Sequence, residues 1–433
     1  MNNTARAEWE PLRKVVIHRP GLEMFMGLME PYGALYERVF SQAGARAEHR
    51  LLEEVLSYVF KVEVIQLKEA ILQAATKRPE IRRALIELVR EGLAYGGIPE
   101  DIQRAENEFE EGTRVLDEEH YFNMFLLNPA INIKTDTGSR NIHLSITDRE
   151  PLSNLYFMRD QQFLTDKGLV LCRMAKPSRR RETELTKLLW SDIMGLDIFE
   201  IDDPGTIEGG EFIPFGDFAL VGIGDRTNRA AIDQLLKFGL GYSEIGVVHQ
   251  APHPLIPGDK ADPQVNMHLD TYFNVASSKV VVGSVPLLER ARLEIWKNDG
   301  KGAFTKQEED TNLMEYITGK GFDVINITTL EQLSYASNFL CISDGHIMAI
   351  EVERAAREVL ENLKTTAEAD PDRYGKLYDQ ARIDYKNLKA EGQFMPHKKE
   401  IYQHGIDAYP LVLNCLTGGY GGAHCMTCAL NRG

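Results

Sequence analysis

Apolar and polar residues alternate along four stretches in the middle of the chain, each interrupted once by turn-forming residues. "NLYFMRDQQFLTDKGLVLC" (154–172) turns at Asp166-Lys167-Gly168, and "EGGEFIPFGDFALVGIG" (208–224) at Phe215-Gly216-Asp217. "HLDTYFNVASSKVVVGS" (268–284) turns at Ser277-Ser278-Lys279, and "ASNFLCISDGHIMAIE" (336–351) at Ser343-Asp344-Gly345. Period-two alternation around such turns predicts half-buried hairpins. Between them, residues 181–192, 229–238 and 286–297 show helical spacing. A hairpin-plus-helix unit recurring at roughly 50–60 residues predicts radial repetition, as in a propeller-like α/β fold.

The flanks read differently. "KVVIHRP" predicts a strand stopped by Pro20, residues 36–60 a helix, and "VEVIQL" another strand. Residues 68–120 are helical in pattern without a strand signal, with Gly96-Gly97 and Pro99 separating helices, which predicts a helical insertion into a single catalytic domain spanning 1–433. Residues 352–404 are charged and helical, expected to pack on the outside. "YPLVLNCL" predicts one more strand, feeding "GGYGGAHCMTCALNRG" (418–433).

With 433 residues, 43% hydrophobic and 26% charged, the chain is of soluble globular type. The net charge, 49 − 65 = −16, argues against nucleic acid and acidic membranes as partners, and weakly favours a cationic small molecule. No apolar h-region or bilayer-length span is visible, and five unevenly spaced cysteines do not form a disulfide framework. A cytoplasmic location is expected, and a homo-oligomer is left open.

Three chemistries compete for the terminal cysteines. His424, Cys425 and Cys428 are ligand types, but structural zinc takes four ligands and there is no second C-x-x-C. Pro252 and Pro254 keep His249 and His253 off a common helix, so no metal is expected. A redox dithiol would open a helix, for which five remaining residues leave no room. A nucleophilic thiol needs an acid–base group and a substrate holder. His268 and Asp270, at i and i+2, would share one face of a strand, and Asp160 and Glu208 open neighbouring units. Carboxylates gathered in one pocket repel unless they bind a cation, and planar guanidinium fits paired carboxylates best. Gly418, Gly419, Gly421 and Gly422 then read as lid hinges, or as a tight turn.

The ordered motifs "NLYFMRD", "EGGE", "HLDT" and the terminal "GG-x-HCMT" resemble the guanidino-group-modifying enzymes, with arginine deiminases the nearest pattern. The resemblance covers nearly the whole chain, most loosely at 300–410. It implies a five-bladed α/β propeller with the extra helical block, acting on arginine without a cofactor. Residue by residue it implies Cys425 as nucleophile, His268 as general acid–base, Asp160 and Asp270 as guanidinium clamp, and Glu208 as support for His268. Asn154, Arg179 and Arg226 match positions that hold the amino-acid end. The pattern departs in the loop "GGYGGAHC", which lacks the family's usual arginine and puts His424 before the cysteine, and in "FMRD" and "EGGE" for the usual "FTRD" and "EGGD". "HCMTC" and "NRG" are similar to amidinotransferases. Transfer of the amidino group to an amine, an arginine dihydrolase and a non-catalytic arginine-binding protein therefore stand as alternatives.

Overall fold

Five sheets follow one plan in the computed structural model, which describes residues 4–135, 142–148, 150–263 and 265–433. In each, an antiparallel hairpin is extended by a third strand parallel to its second. Gln162–Thr165 pairs with Gly168–Leu171, which takes Ile198–Glu200. Phe212–Pro214 and Phe218–Ile223 take Glu244–His249. Phe273–Val275 and Val280–Gly283 take Asp323–Asn326. Leu340–Ser343 and His346–Ile350 take Asp407–Leu411. The fifth sheet joins the two ends of the chain. Cys428–Arg432 runs antiparallel to Leu12–Ile17, which lies parallel to Glu63–Gln66. Among the described residues no sheet closes on itself.

All four predicted hairpins form, but they are shorter than their alternation suggests, and the lost residues matter. Asn154–Asp160 is a succession of turns, and Gly209–Glu211 and Leu269–Thr271 are single 3-10 turns. His268 and Asp270 therefore do not share a strand face. Residues 286–297 are not a helix: a short one, Val285–Leu288, gives way to the strand Arg292–Asn298, antiparallel to Glu244–His249. "RLEIWKN" alternates, burying Leu293, and the period of two prevails where Pro286 confines the helix to its first turn.

The N-terminal block contains helices Leu67–Lys77, Pro79–Gly92, Pro99–Gly112 and Glu118–Leu127. Pro79 and Pro99 occupy first turns, where a missing N–H costs nothing, and the Asp117 carboxylate accepts from His120 N to cap the last helix. Their apolar faces meet Leu188, Leu189 and Trp190 in one core. A strand, Ala94–Gly96, does lie inside this block, pairing with Pro129–Thr135, which in turn pairs with Ile142–Asp148. Helices Val352–Ala369 and Pro371–Glu391 pack Val359, Leu363 and Leu377 over Cys341, Ile347 and Ala349 of the fourth sheet. No helix among the described residues is long and apolar enough to cross a membrane.

Candidate active site

Each of the five sheets sends one polar side chain into the same region from the segment preceding its first strand. These are Asp160, Glu208, His268, Asn338 and Cys425, all buried. The segments are stitched together by backbone bonds: Arg159 N donates to Cys425 O at 2.9 Å, Gly209 N to Asp160 O at 3.0 Å and His424 N to Asn338 O at 3.1 Å. Glu211 accepts from Leu269 N at 2.9 Å, holding the turn that presents His268 and Asp270. Burial raises Glu211 to about 7 against the pull of His268.

A cavity of about 200 Å³ is lined by Asp160, His268 and Cys425 together with Asn154, Arg179 and Arg226. Glu208 and Asp270 stand behind that lining, reached through His268 and Cys425. His268 Nε2 is 2.9 Å from Glu208 Oε2, and its Nδ1 is 3.7 Å from Asp160 Oδ1. Asp270 Oδ2 is 3.6 Å from Cys425 Sγ and 2.7 Å from His424 Nδ1. Asp160 Oδ1 and Asp270 Oδ1 have no hydrogen-bond partner although both residues are buried. Such orphaned acceptors are costly unless a donor arrives from a ligand or water.

Asn338 was not among the expected residues. Its Oδ1 accepts from Gly422 N at 2.8 Å and Cys425 N at 3.1 Å, and its Nδ2 donates to Cys425 Sγ at 3.1 Å. The signal was positional: "ASN" opens the fourth unit where "MRD" opens the first, but a turn asparagine carries no charge to draw notice. Lys176, also missed, lines the cavity with its Nζ 3.3 Å from Asp225 Oδ2.

The three residues expected at the amino-acid end differ in what they have left to offer. Arg179 spends Nη1 on Asp160 at 2.8 Å, and Nε and Nη2 on Glu182, both at 2.9 Å. Asn154 donates to the Ala34 carbonyl at 2.7 Å. Arg226 Nε and Nη1 are buried without a hydrogen bond, although Asp225 Oδ2 lies 3.3 Å from Nε and Glu208 Oε1 3.6 Å from Nη1.

Charge at the centre is uneven. Burial favours neutral His268, but Asp160 and Glu208 outweigh it and push the imidazole up to about 9. Burial opposes ionisation of Glu208 too, yet Arg226 and His268 hold it down at about 2. Burial and the charges of Asp270 and Asp160 drive the Cys425 thiol well above its ordinary range. The free site thus pairs a protonated thiol with an imidazolium, and a bound cation would be needed to draw out the thiolate. Without substrate, alkylation of Cys425 by neutral iodoacetamide should accelerate with rising pH to beyond pH 9. A profile already flat by pH 8 would contradict this charge state.

One ligand atom each from Asp160, Glu208 and His268 lie within 4.8 Å of one another, a spacing a metal ion could use. Arg179 Nη1, 2.8 Å from Asp160 and 3.7 Å from Glu208, already supplies positive charge there, as does Arg226. An ion would face two guanidinium groups, so the donor set suits it poorly.

The glycine run is packed rather than hinged. Gly418, Gly419, Gly421 and Gly422 are buried and none has positive φ. A Cβ on Gly419 would lie 1.8 Å from the Tyr156 hydroxyl, and one on Gly422 only 2.8 Å from the Asn338 carbonyl oxygen. Close approach, not conformational freedom, explains these glycines. The residue that departs from ordinary backbone geometry is Tyr420, at φ 74°, beside the cavity.

The arginine deiminase family model matches residues 33–432. An arginine deiminase of Halobacterium salinarum is 26% identical over an alignment covering 99% of this chain and 96% of that protein. One from Clostridium perfringens is 28% identical, covering 81% and 88%. Among solved structures, unliganded AgrE superposes with a TM-score of 0.52 at 11% identity, covering 97% of this chain and 39% of that one. A dimethylarginine dimethylaminohydrolase from Pseudomonas aeruginosa complexed with citrulline gives 0.50 at 13% identity, covering 96% and 99%. At these identities the structures speak for a shared α/β fold.

Proposed function

Because the chain belongs to the arginine deiminase family, we propose that it hydrolyses L-arginine to L-citrulline and ammonia through a covalent adduct on Cys425. The observation carrying this reading is the pair of unpartnered oxygens, Asp160 Oδ1 and Asp270 Oδ1, beside a buried thiol. A guanidinium has N–H groups in the geometry that two carboxylates accept. Its charge would favour the thiolate that the empty site suppresses.

When the cation binds, the Cys425 thiol gives up its proton to solvent. The thiolate attacks the guanidinium carbon, and the C–N bond to the departing nitrogen breaks as His268 gives it a proton, releasing ammonia. This leaves an S-alkylthiouronium. Water, losing its proton to His268, adds to the same carbon, and the C–S bond breaks to give citrulline and the thiolate. Glu208 stabilises the imidazolium in both halves. Atoms balance as arginine plus water to citrulline plus ammonia, with no cofactor.

Arg226, with donors to spare, and Lys176 would take the α-carboxylate, while Arg179 fixes Asp160 and Asn154 borders the same end. Arg226→Gln should then raise KM for arginine about 10- to 100-fold, the worth of a charge-assisted bond, and erase preference for arginine over agmatine, which lacks the carboxylate. An unchanged preference would assign that end elsewhere.

The shared sheet plan, with one site residue from each unit, supports a five-bladed propeller arrangement. We read residues 1–433 as one catalytic domain carrying 68–120 as an insertion, in the cytoplasm, where its five unpaired cysteines suit a reducing medium.

Products decide among the alternatives. Purified protein with arginine alone should yield equimolar citrulline and ammonia. Ornithine formed only with an added amine would make it an amidinotransferase. Ornithine with two ammonia per arginine would make it a dihydrolase. Tight binding of unreacted arginine would make it a binding protein.

A further inference from the structure

We infer that His424, the residue preceding the nucleophile, is a positioning residue that fixes the Asp270 carboxylate so that one oxygen is left for the guanidinium. The inference rests on the hydrolase reading above and names how one arm of its clamp is aimed.

Asp270 has no solvent exposure, and its two oxygens are treated differently. Oδ2 is held by His424 Nδ1 at 2.7 Å, with Cys425 Sγ 3.6 Å away, whereas Oδ1 meets no donor. A buried carboxylate with one orphaned oxygen would turn to satisfy it unless the other were anchored. His424 is that anchor, and on its far side it faces Glu8 without a hydrogen bond. Its Nε2 lies 3.5 Å from Glu8 Oε1. Glu8 is gripped by Arg432 Nη2 at 2.5 Å and approached by Arg159 Nη2 at 3.8 Å. The backbone of His424 is pinned too, its N–H donating to Asn338 O at 3.1 Å and its carbonyl lying 3.5 Å from Arg159 Nε.

The arrangement is a line of contacts from Arg432 through Glu8, His424 and Asp270 to the sulfur. It is separate from the line that orients His268, which runs through Glu208. His424 touches neither a reacting atom nor the cavity wall; it acts through Asp270. Its place directly before Cys425 means that one turn of chain positions both the nucleophile and the acid beside it.

The test compares His424→Leu, which removes the donor, with His424→Asn, whose amide can offer an N–H to the same oxygen. With any guanidine that the parent enzyme turns over, kcat/KM should fall about 10- to 100-fold in the leucine variant and recover most of that loss in the asparagine variant. The groups facing Asp270 are His424, Cys425, His268, Glu211 and Arg159, and only the first changes. Losing its hydrogen bond lets Asp270 protonate at higher pH, so the acid limb of kcat/KM should move upward in the leucine variant and return with asparagine. A purely structural loss would lower melting temperature or active fraction without moving that limb.

A second readout works even if arginine proves not to be a substrate. A haloacetamidine carries the planar cation on an alkylating carbon, so its rate on Cys425 relative to neutral iodoacetamide reports on the clamp. That ratio should drop in His424→Leu and be restored in His424→Asn. An unchanged limb and ratio in the leucine variant, or equal damage in both variants, overturns the role. Should the leucine variant fail to fold, Glu8→Gln removes the negative charge 3.5 Å from His424 Nε2 and should shift the limb and ratio the same way, less far. No shift there overturns it as well.

Discussion

Cys425→Ala should abolish turnover, by roughly the 10⁶-fold that separates an enzyme from the same site without its nucleophile, while Cys428→Ala should stay within a few-fold of the parent. The two thiols are both buried and only three residues apart, yet their surroundings differ. Sγ of Cys425 lines the cavity and meets Asn338 and Asp270. Sγ of Cys428 lies in the fifth sheet, 3.6 Å from the Ala429 carbonyl, among apolar side chains that include Val16 and Leu430. Removing it costs packing, on the order of 1 kcal/mol, and no chemistry. Steady-state citrulline release, with each variant's melting temperature as a control, makes the comparison. Equal loss from both substitutions would return the pair to a dithiol or metal role.

His268→Gln should lower kcat by roughly 10²- to 10⁴-fold, the usual worth of a general acid–base group, with a much smaller change in KM. Glutamine can still donate to Glu208, so the buried acid is not abandoned. What disappears is the proton. In the parent, Asp160 and Glu208 overcome burial and keep the imidazole charged to about pH 9, so it is ready for the departing nitrogen at neutral pH. A guanidine analogue whose leaving group departs as a weakly basic thiolate needs no such proton. With it, the variant should form the thiouronium yet fail to hydrolyse it, and the adduct should accumulate on Cys425 in a mass spectrum. Absence of the adduct, together with a slow first step, would move the acid–base role away from His268. The same raised value has a stability consequence. Its ordinary value is 6.5, so the charged ring's contribution is fully present below that and is lost as pH rises through about 9. Thermal stability of the parent should decline across that window, and His268→Gln should flatten the decline.

The residues that carry charge were legible in sequence because chemistry restricts their type. Asp160, Glu208 and His268 do converge, as opening groups of successive units should, and the Cys425 thiol from the tail meets them at the same cavity. Geometry was less legible. The i, i+2 spacing of His268 and Asp270 suggested a strand face, but a 3-10 turn presents both, and alternation over three residues cannot separate the two. Asn338 escaped because asparagine is common in turns and its value lies in contacts with Gly422 and Cys425, distant in sequence. The glycine run suggested motion, whereas its constraint is the proximity of Tyr156, Phe157 and Asn338, which no local pattern reveals. The fifth sheet was hidden for the same reason. "KVVI" announces a strand but not that its neighbour is Cys428–Arg432.

That last pairing makes one strand's neighbour depend on residues more than 400 positions away. Without Cys428–Arg432, Leu12–Ile17 keeps its partner Glu63–Gln66 on one side and offers a bare apolar edge on the other, a hazard for premature association. The reactive sulfur takes its seat only when the closing strand docks. A chain truncated before Cys428 should therefore remain inert towards guanidines, because the strand that seats Cys425 is missing.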